Sequence, residues 1–223
     1  MKKEKREVLL SRRRRTLRRV LIAALAVFLV NRVLLIGLLF PIQAIRHNEE
    51  RMGTGRTAVI CRDRVPEIYK TGLVYLTENE KVTMLSGTRL TLYGWMDNFG
   101  VPVDCSEPAA VHGGWWAMSR EGRGSLFYVF GRVDDPGIDL LTVQVWYEDW
   151  SGGEPVRRNA FSWGLAREDL LEKDGRYYFL IKNYPVDFGE YTSNLSTTVT
   201  GVDLAGNVIA EVELDGGASS SYG

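Results

Sequence analysis

Residues 20–40 read VLIAALAVFLVNRVLLIGLLF and form a long apolar run near the start of the chain. An α-helix needs about 20 mostly apolar residues to cross a bilayer. Residues 1–19, which precede the run, hold ten Lys/Arg and two Glu. Because basic flanks of membrane helices stay in the cytoplasm, the sequence predicts a single-pass protein of the cell membrane. Its N-terminus would be cytoplasmic and its C-terminal domain extracytoplasmic.

The same run has a second interpretation as a cleaved export signal. Secretory signals have an apolar core of roughly 7–15 residues followed by small residues at the cleavage site. The run here is longer, and PIQA at 41–44 is a poor cleavage site. LRRVLI at 17–22 loosely resembles a twin-arginine signal, which an Arg-rich segment also produces by chance. We therefore favour a retained signal-anchor.

Asn31 and Arg32 interrupt the apolar run near its middle. An Arg at the centre of a membrane helix costs about 2.5–3.5 kcal/mol on insertion scales. One interpretation is a membrane partner that pairs with Arg32 while Asn31 bonds across helices. The other, which we favour, is that Arg32 extends to the lipid interface and the flanking apolar residues suffice.

Charge is distributed unevenly along the chain. The residues after Arg32 hold 17 Lys/Arg and 26 Asp/Glu, although the whole chain is formally neutral. Basic segments beside a membrane bind anionic lipid, so residues 1–19 are predicted to contact the inner leaflet. The acidic remainder argues against a nucleic-acid partner, since phosphates would be repelled.

Beyond residue 55 the sequence favours β-strands. β-Branched and aromatic runs alternate with turn clusters, and LLTVQVWYE at 140–148 places apolar residues at every second position. We predict an all-β ectodomain on a single transmembrane helix. Its organisation would be as follows: a basic arm at 1–19, the helix at 20–40, a juxtamembrane linker at 41–55, a small β region at 56–123, a β-sandwich at 124–215 and a disordered tail at 216–223.

Four short motifs and one strand within 124–215 resemble the immunoglobulin-like domains of bacterial surface and secreted proteins. They are GRVDDPGI at 131–138, the strand with Val143 and Val145, DGRYYF at 174–179, GEY at 189–191 and GVDLAGNV at 201–208. The resemblance implies a sandwich of antiparallel strands. Two features depart from it: the segment lacks a Cys–Trp–Cys arrangement, and residues 154–173 form a long insertion. Residues 56–123 resemble no family that we identify.

The chain holds two cysteines, Cys61 and Cys105. An even number of cysteines in an oxidising compartment predicts a disulfide, which would close a loop of about 44 residues and add about 3–4 kcal/mol. The alternative is two buried free thiols. We favour the disulfide.

Six tryptophans are many for a chain of this length. Trp146, Trp150 and Trp163 lie on a strand face or beside a Gly/Pro loop, so they are candidates for a ligand surface that binds sugar rings or a protein. The alternative is core packing, in which Trp is also common.

No motif for catalysis or for a cofactor is found. His47 and His112 are the two histidines, and neither has the spacing of a metal ligand or a catalytic base. Asp134, Asp135, Asp139 and Asp203 could bind calcium, but aspartates beside Pro-Gly are ordinary turn residues. We therefore expect no enzyme activity, no metal and no cofactor.

These features favour a membrane-anchored interaction module outside the cytoplasm, which would bind another envelope protein. A module that binds cell-wall glycan through surface tryptophans is the alternative.

Overall fold

The computed structural model describes residues 2–34, 38–66, 71–120, 124–186 and 192–221. Within these ranges the chain forms two helices, a short 3-10 turn at Arg167–Asp169 and twelve strands. The elements are α1 (Lys2–Leu34), α2 (Pro41–Met52), β1 (Ala58–Arg64), β2 (Gly72–Glu78), β3 (Val82–Thr91), β4 (Gly94–Asp104), β5 (Val111–Arg120), β6 (Gly124–Val133), β7 (Leu140–Asp149), β8 (Val156–Ala166), β9 (Leu171–Lys173), β10 (Arg176–Val186), β11 (Thr192–Val202) and β12 (Val208–Ser221). The prediction of mainly β structure is confirmed.

The transmembrane signal-anchor predicted at residues 20–40 is wrong. α1 ends at Leu34, and Leu38 forms an isolated antiparallel bridge with Trp95 of β4. Residues 20–31, the uncharged part of α1 between Arg19 and Arg32, span about 18 Å, whereas the hydrocarbon core of a bilayer is about 30 Å thick. No helix in the described part of the chain is long and apolar enough to cross a membrane.

The segment predicted as a linker at 41–55 is largely the helix α2. Pro41 opens the helix, where its missing N–H costs nothing, and Gly53 ends it in the left-handed conformation. Ala44 and Ile45 are fully buried. The helix packs on β3 and β4, so it is part of the folded body.

The first sheet is an antiparallel meander with the order β1-β2-β3-β4. Its third strand continues through Ser86 and Gly87, although Ser-Gly is a dipeptide typical of turns. A Cβ on Gly87 would lie 2.0 Å from the ring of Phe99, so the glycine makes room for that ring rather than for a turn. β4 carries Pro102, which an edge strand tolerates.

The second sheet has eight strands in the order β8-β7-β11-β12-β5-β6-β10-β9. β12 joins its two halves: residues 208–214 pair antiparallel with β11, and residues 215–221 pair parallel with β5. The disordered tail predicted at 216–223 is therefore wrong for residues 216–221. Their small, polar side chains suggested disorder, but it is their backbone that pairs with β5.

Two apolar clusters divide the interior into layers. One is built from β5, β6, β7, β10, β11 and β12, and therefore lies between the two halves of the eight-stranded sheet. The other joins the four-stranded meander to the opposite face of β5, β6 and β10. β6 contributes to both: Leu126 and Tyr128 face the meander, and Phe127 and Val129 face the sandwich.

β5 and β6 form a hairpin with ten paired positions. The boundary predicted between 56–123 and 124–215 falls inside this hairpin. β8 occupies most of the stretch that the sequence suggested as an insertion, and it forms one edge of the sheet.

Candidate functional site

The outer face of β7 and β8 carries Trp146 and Trp150, two of the three tryptophans that the sequence suggested for a ligand surface. Leu141, Val143 and Val145 of β7 are buried, so the alternate positions face outward. Trp146 is one of them, and it is partly buried because the Arg157 guanidinium of β8 lies over its ring, 5.0 Å from the centroid. Arg157 also donates a hydrogen bond from Nη2 to Oγ of Ser196 on β11, at 3.4 Å. The pair is thus fixed across three strands.

Trp150 follows β7 and is 43% exposed, and Val156 at the start of β8 is 50% exposed. Register places Val156 opposite Asp149, the residue before Trp150. Alternation along the two strands puts Asp149 and Val156 on the face opposite Trp146, whereas Trp150 continues the outer face where the β7–β8 hairpin turns. We call Trp146, Trp150 and Arg157 the β7–β8 patch.

Trp163 does not belong to this patch. It lies opposite Val143, on the buried side of the sheet, and packs against the sandwich core. Its ring centroid is 4.4 Å from that of Phe161. The structure therefore brings Trp146 and Trp150 to one surface and places Trp163, which is partly buried, on the core side of the sheet.

Cys61 and Cys105 are free thiols, so the predicted disulfide is wrong. Cys61 lies in β1 and Cys105 follows β4, at opposite edges of the meander. Three strand spacings separate those edges by about 14 Å, whereas a disulfide requires Cα atoms less than about 7 Å apart. Burial raises the pKa of the Cys61 thiol from 9.0 to about 11.

Asn31 and Arg32 have side chains outside the described part of the structure, so their predicted membrane contacts receive no structural account. The histidines are described. His47 is exposed on α2 with Nδ1 3.3 Å from Oδ1 of Asp97. His112 is buried in β5.

Of the aspartates considered for calcium, Asp135, Asp139 and Asp203 accept hydrogen bonds from backbone N–H groups of turns, whereas Asp134 contacts Arg132. Asp203 accepts hydrogen bonds from the backbone N–H groups of Ala205 and Asn207, at 2.9 and 2.8 Å. The hydrogen bond from the Asn207 side chain, followed by these backbone bonds, lowers the pKa of Asp203. Within the described ranges, no group of three or more His, Cys, Asp or Glu side chains could hold a metal ion.

A buried charged cluster lies at the junction of the two sheets, and the sequence did not point to it. Arg132 and His112 are cross-strand neighbours on β6 and β5, and they are 5% and 8% exposed. Arg132 donates from Nη2 to Oδ2 of Asp134 at 2.7 Å, and Nε2 of His112 lies 3.3 Å from the same oxygen. Burial opposes the charge of Arg132, but Asp134, Cys105 and Glu78 together outweigh it, so the pKa of Arg132 is raised.

The meander adds an acid to this cluster. Glu78 ends β2, and its Oε2 lies 3.9 Å from Nη1 of Arg132 and 3.4 Å from Nη1 of Arg176. Tyr178 is fully buried nearby, and burial, followed by the adjacent Glu78, raises its pKa strongly. The charges of Arg132 and Arg176 are therefore balanced by those of Glu78 and Asp134. These residues lie beside the apolar cluster between the meander and the eight-stranded sheet.

The cluster was missed because its members are far apart in the sequence. Arg132 and Asp134 stood inside a motif that is typical of turns, and Glu78 ends a strand of a different sheet. One signal was available in the sequence. Arg132 lies two residues after the continuous apolar run of 126–130, which predicts a charge near the end of a buried strand.

Comparison with protein-family models gives no match for this chain. Comparison with curated proteins gives no match either. The function is therefore argued from the geometry alone.

Proposed function

We propose that the protein is a non-catalytic interaction module that binds another protein through the β7–β8 patch. The observation that carries the proposal is the stacked pair of Trp146 and Arg157 on an outward sheet face. Trp, Tyr and Arg are the residues most enriched among those that dominate binding energy at protein interfaces.

The patch also has the composition of an interface centre. Trp150 is an exposed aromatic side chain beside the pair. Polar contacts lie on the same face: Asn194 donates to Glu148 at 2.7 Å, and Arg157 donates to Ser196 at 3.4 Å. An apolar and aromatic centre within a polar rim is the usual arrangement of protein interfaces.

The geometry favours a protein over a glycan at this patch. A sugar ring stacks on the open face of an aromatic ring, and the Arg157 guanidinium covers one face of Trp146. Trp163, another residue of the suggested sugar platform, packs into the core.

The order of strands supports an immunoglobulin-like fold for the second sheet. β5-β6-β10-β9 corresponds to strands A-B-E-D of that fold, and β8-β7-β11-β12 to a C′-C-F-G sheet. Such domains commonly serve binding rather than catalysis, which agrees with the proposal. Contact of residues 1–19 with anionic lipid stays a prediction, and the proposal does not depend on it.

Photo-crosslinking of the full chain in its own cells tests the proposal. Benzoylphenylalanine replaces Asn159, the exposed residue of β8 that lies opposite Trp146. Glu172, an exposed residue on the opposite edge strand β9, receives the same replacement as the matched control. We expect one adduct of discrete mass from position 159, absent from position 172 and lost when Trp146→Ala is added.

Equal adducts from both positions, or an adduct that survives Trp146→Ala, would contradict the proposal. Sedimentation with insoluble cell-wall polysaccharide tests the glycan alternative beside it. Polysaccharide binding that disappears in Trp146→Ala, with no protein adduct, would replace a protein ligand by a glycan.

A further inference from the structure

The eight-stranded sheet ends in a long strand edge at β8. This strand has 11 residues and pairs with β7 on one side, and no other described strand pairs with its second side. Strand edges carry unpaired backbone N–H and C=O groups that other chains can pair with, so folded proteins usually block them. An edge that stays open is therefore a candidate interaction surface.

The other edges of the two sheets are blocked in the described part of the chain. On β4, Leu38 forms a bridge with Trp95, and the side-chain amide of Asn48 donates to the carbonyl of Phe99 at 2.8 Å. On β1, lysine side chains from β9 and β10 donate to two backbone carbonyls, at 2.7 and 2.9 Å. β9 is itself an edge of only 3 residues. β8 is therefore the long edge to which another strand can be added.

The open part of β8 is the stretch 161–165. Before it, two arginines carry charge, and Ala160 is an extra residue in the pairing with β7. After it, the N–H of Ala166 donates to Oδ2 of Asp169 at 3.0 Å. Residues 161–165 hold no charge, so neither a charged side chain nor a bulge protects this stretch from pairing.

The side chains of this stretch suit a neighbouring strand. Phe161, Trp163 and Leu165 face the sandwich core, and each is only partly buried. A strand added beside β8 would cover their exposed surface and extend the core through cross-strand contacts. Ser162 and Gly164, on the outer face, are small and exposed, so they do not obstruct the approach of another backbone.

The stretch can pair with a second copy of itself. In an antiparallel pair, side chains that lie opposite each other share a face of the sheet. A two-fold axis at Trp163 meets this condition, because it sets Phe161 of one copy opposite Leu165 of the other. The three apolar side chains of each copy then form one continuous row on the core side.

Charges on either side of the stretch fit the same register. Arg158 lies five residues before Trp163 and Glu168 lies five residues after it, so the arginine of one copy comes towards the glutamate of the other. Arg158 uses Nε to bind Asp149 at 2.6 Å, and a guanidinium has further donors for a second carboxylate. Because the axis is two-fold, the opposite-charge pair forms twice.

We propose that two copies of the chain associate by antiparallel pairing of their β8 strands about Trp163. The dimer uses the strand edge, whereas the β7–β8 patch lies on the outward sheet face. The patch of each copy stays accessible, so the inference goes beyond the function proposed for the patch and does not depend on it.

Sedimentation velocity of the purified full chain tests the proposal, because no other protein is present. Between roughly 1 µM and 1 mM the chain should shift from monomer to dimer. Glu168→Arg turns attraction into repulsion at both charge pairs and should raise the dimer dissociation constant about tenfold. Glu172→Arg, the same change at an exposed residue of the opposite edge strand β9, is the matched control and should leave the constant unchanged.

A reciprocal exchange of charge tests the register. Arg158→Glu alone should weaken the dimer as Glu168→Arg does, and the two substitutions together should restore the wild-type constant. Urea midpoints show whether each variant is folded. If Arg158→Glu fails to fold, crosslinking decides: benzoylphenylalanine at Ser162, next to the axis, should give an adduct of twice the chain mass in the purified protein, and the same replacement at Glu172 should give none.

A chain that stays monomeric up to about 1 mM would overturn the proposal. A dimer that Glu168→Arg leaves unchanged would do the same, as would the absence of an adduct from position 162. Trp146→Ala should leave the dimer constant unchanged, so loss of the dimer and loss of binding at the β7–β8 patch are measured separately. In the cellular experiment, an adduct of twice the chain mass reports the dimer and any other mass reports the partner of the patch.

Discussion

Phe99 of β4 stacks on Trp116 of β5, with ring centroids 3.6 Å apart and ring planes 13° from parallel. The two rings join the four-stranded meander to the eight-stranded sheet. Gly87 lies on the meander side of Phe99, where a Cβ would be 2.0 Å from the ring. The Phe99 ring therefore has a neighbour on each face and cannot move away from either.

Gly87→Ala should consequently destabilise the protein. The added methyl group would push Phe99 against Trp116, and overpacking of this kind typically costs about 1–3 kcal/mol. Urea unfolding followed by tryptophan fluorescence measures the loss. Gly152→Ala is the control, because no atom lies within 4 Å of a Cβ at that exposed turn. Equal midpoints for the two variants would show that the ring has room to shift.

Glu49 is expected to hold α2 on the meander. Its carboxylate is buried, accepts from Nη1 of Arg46 at 2.7 Å and from the backbone N–H of Thr57 at 3.1 Å, and also bonds the Thr57 hydroxyl. Glu49→Ala removes the acceptor of the buried Thr57 donors and should cost about 1–3 kcal/mol, the penalty for a buried donor left unsatisfied. Urea unfolding measures this cost, and hydrogen exchange of the α2 amides shows whether the helix is released.

The adjacent residue supplies the control for that experiment. Glu50 lies on the same helix and is exposed. Glu50→Ala should change stability by no more than about 0.5 kcal/mol, as is usual for surface substitutions. If Glu49→Ala behaves like Glu50→Ala, the buried carboxylate does not fix the helix.

Cys61 should react slowly with alkylating reagents near neutral pH. Burial raises its pKa to about 11, and the thiolate is the nucleophile, so little of the reactive form exists at pH 8. Alkylation by iodoacetamide, followed by mass spectrometry, should accelerate as the pH rises towards 11. Cys105 is 5% exposed and should be shielded in the native state. A native mass two hydrogens below the calculated value would show the disulfide instead.

The raised pKa of Cys61 also predicts how the stability of the protein changes with pH. Folding favours the protonated Cys61 thiol, so its contribution is present below about pH 9 and is lost as the pH approaches 11. Relative to the wild-type protein, Cys61→Ala should therefore become less destabilised over this interval. The difference in urea midpoint between the two proteins at pH 8 and pH 10.5 isolates the thiol from other titrating groups.

Trp163 and Trp146 should differ in their effect on stability. Trp163 packs against the sandwich core, so Trp163→Ala should cost about 3 kcal/mol or more. Trp146 lies on the outward face under Arg157, and its removal should cost about 1 kcal/mol, in the range of an exposed cation–π contact. Chemical unfolding of both variants ranks them, and the reverse order would place Trp163 at the surface.

Local patterns in the sequence predicted many of the strands, because one-sided burial leaves an alternating pattern. β7 shows this directly: Leu141, Val143 and Val145 face the core. The DGRYYF motif at 174–179 begins at a turn, and both Asp174 and Gly175 adopt the left-handed backbone that hairpin turns require.

Tertiary contacts decided what local patterns could not. Ser86 and Gly87 read as a turn, yet the glycine lies in the middle of β3 because Phe99 needs the space. β8 begins with exposed polar residues, since it is an edge strand, and so it lacked the usual pattern. The apolar run at 20–40 had the composition of a membrane span, but neither Arg32 within it nor the end of α1 at Leu34 fits one.

The candidate sites also differ in whether local patterns or tertiary contacts reveal them. Trp146 and Trp150 were found from alternation and from a neighbouring loop, which are local signals. Arg132 gained its importance from Glu78, which is on another sheet. The contact between Arg132 and Glu78 joins two sheets, and no residue spacing in the sequence indicates it.

β6 has a layer of protein on each face, and this sets how its backbone meets water. Leu126, Phe127, Tyr128, Val129 and Phe130 are all at most 1% exposed. Their amide hydrogens can reach solvent only when the meander and the sandwich come apart together, so exchange at β6 should follow global unfolding. Hydrogen exchange at this single strand would thus report the opening of the whole molecule.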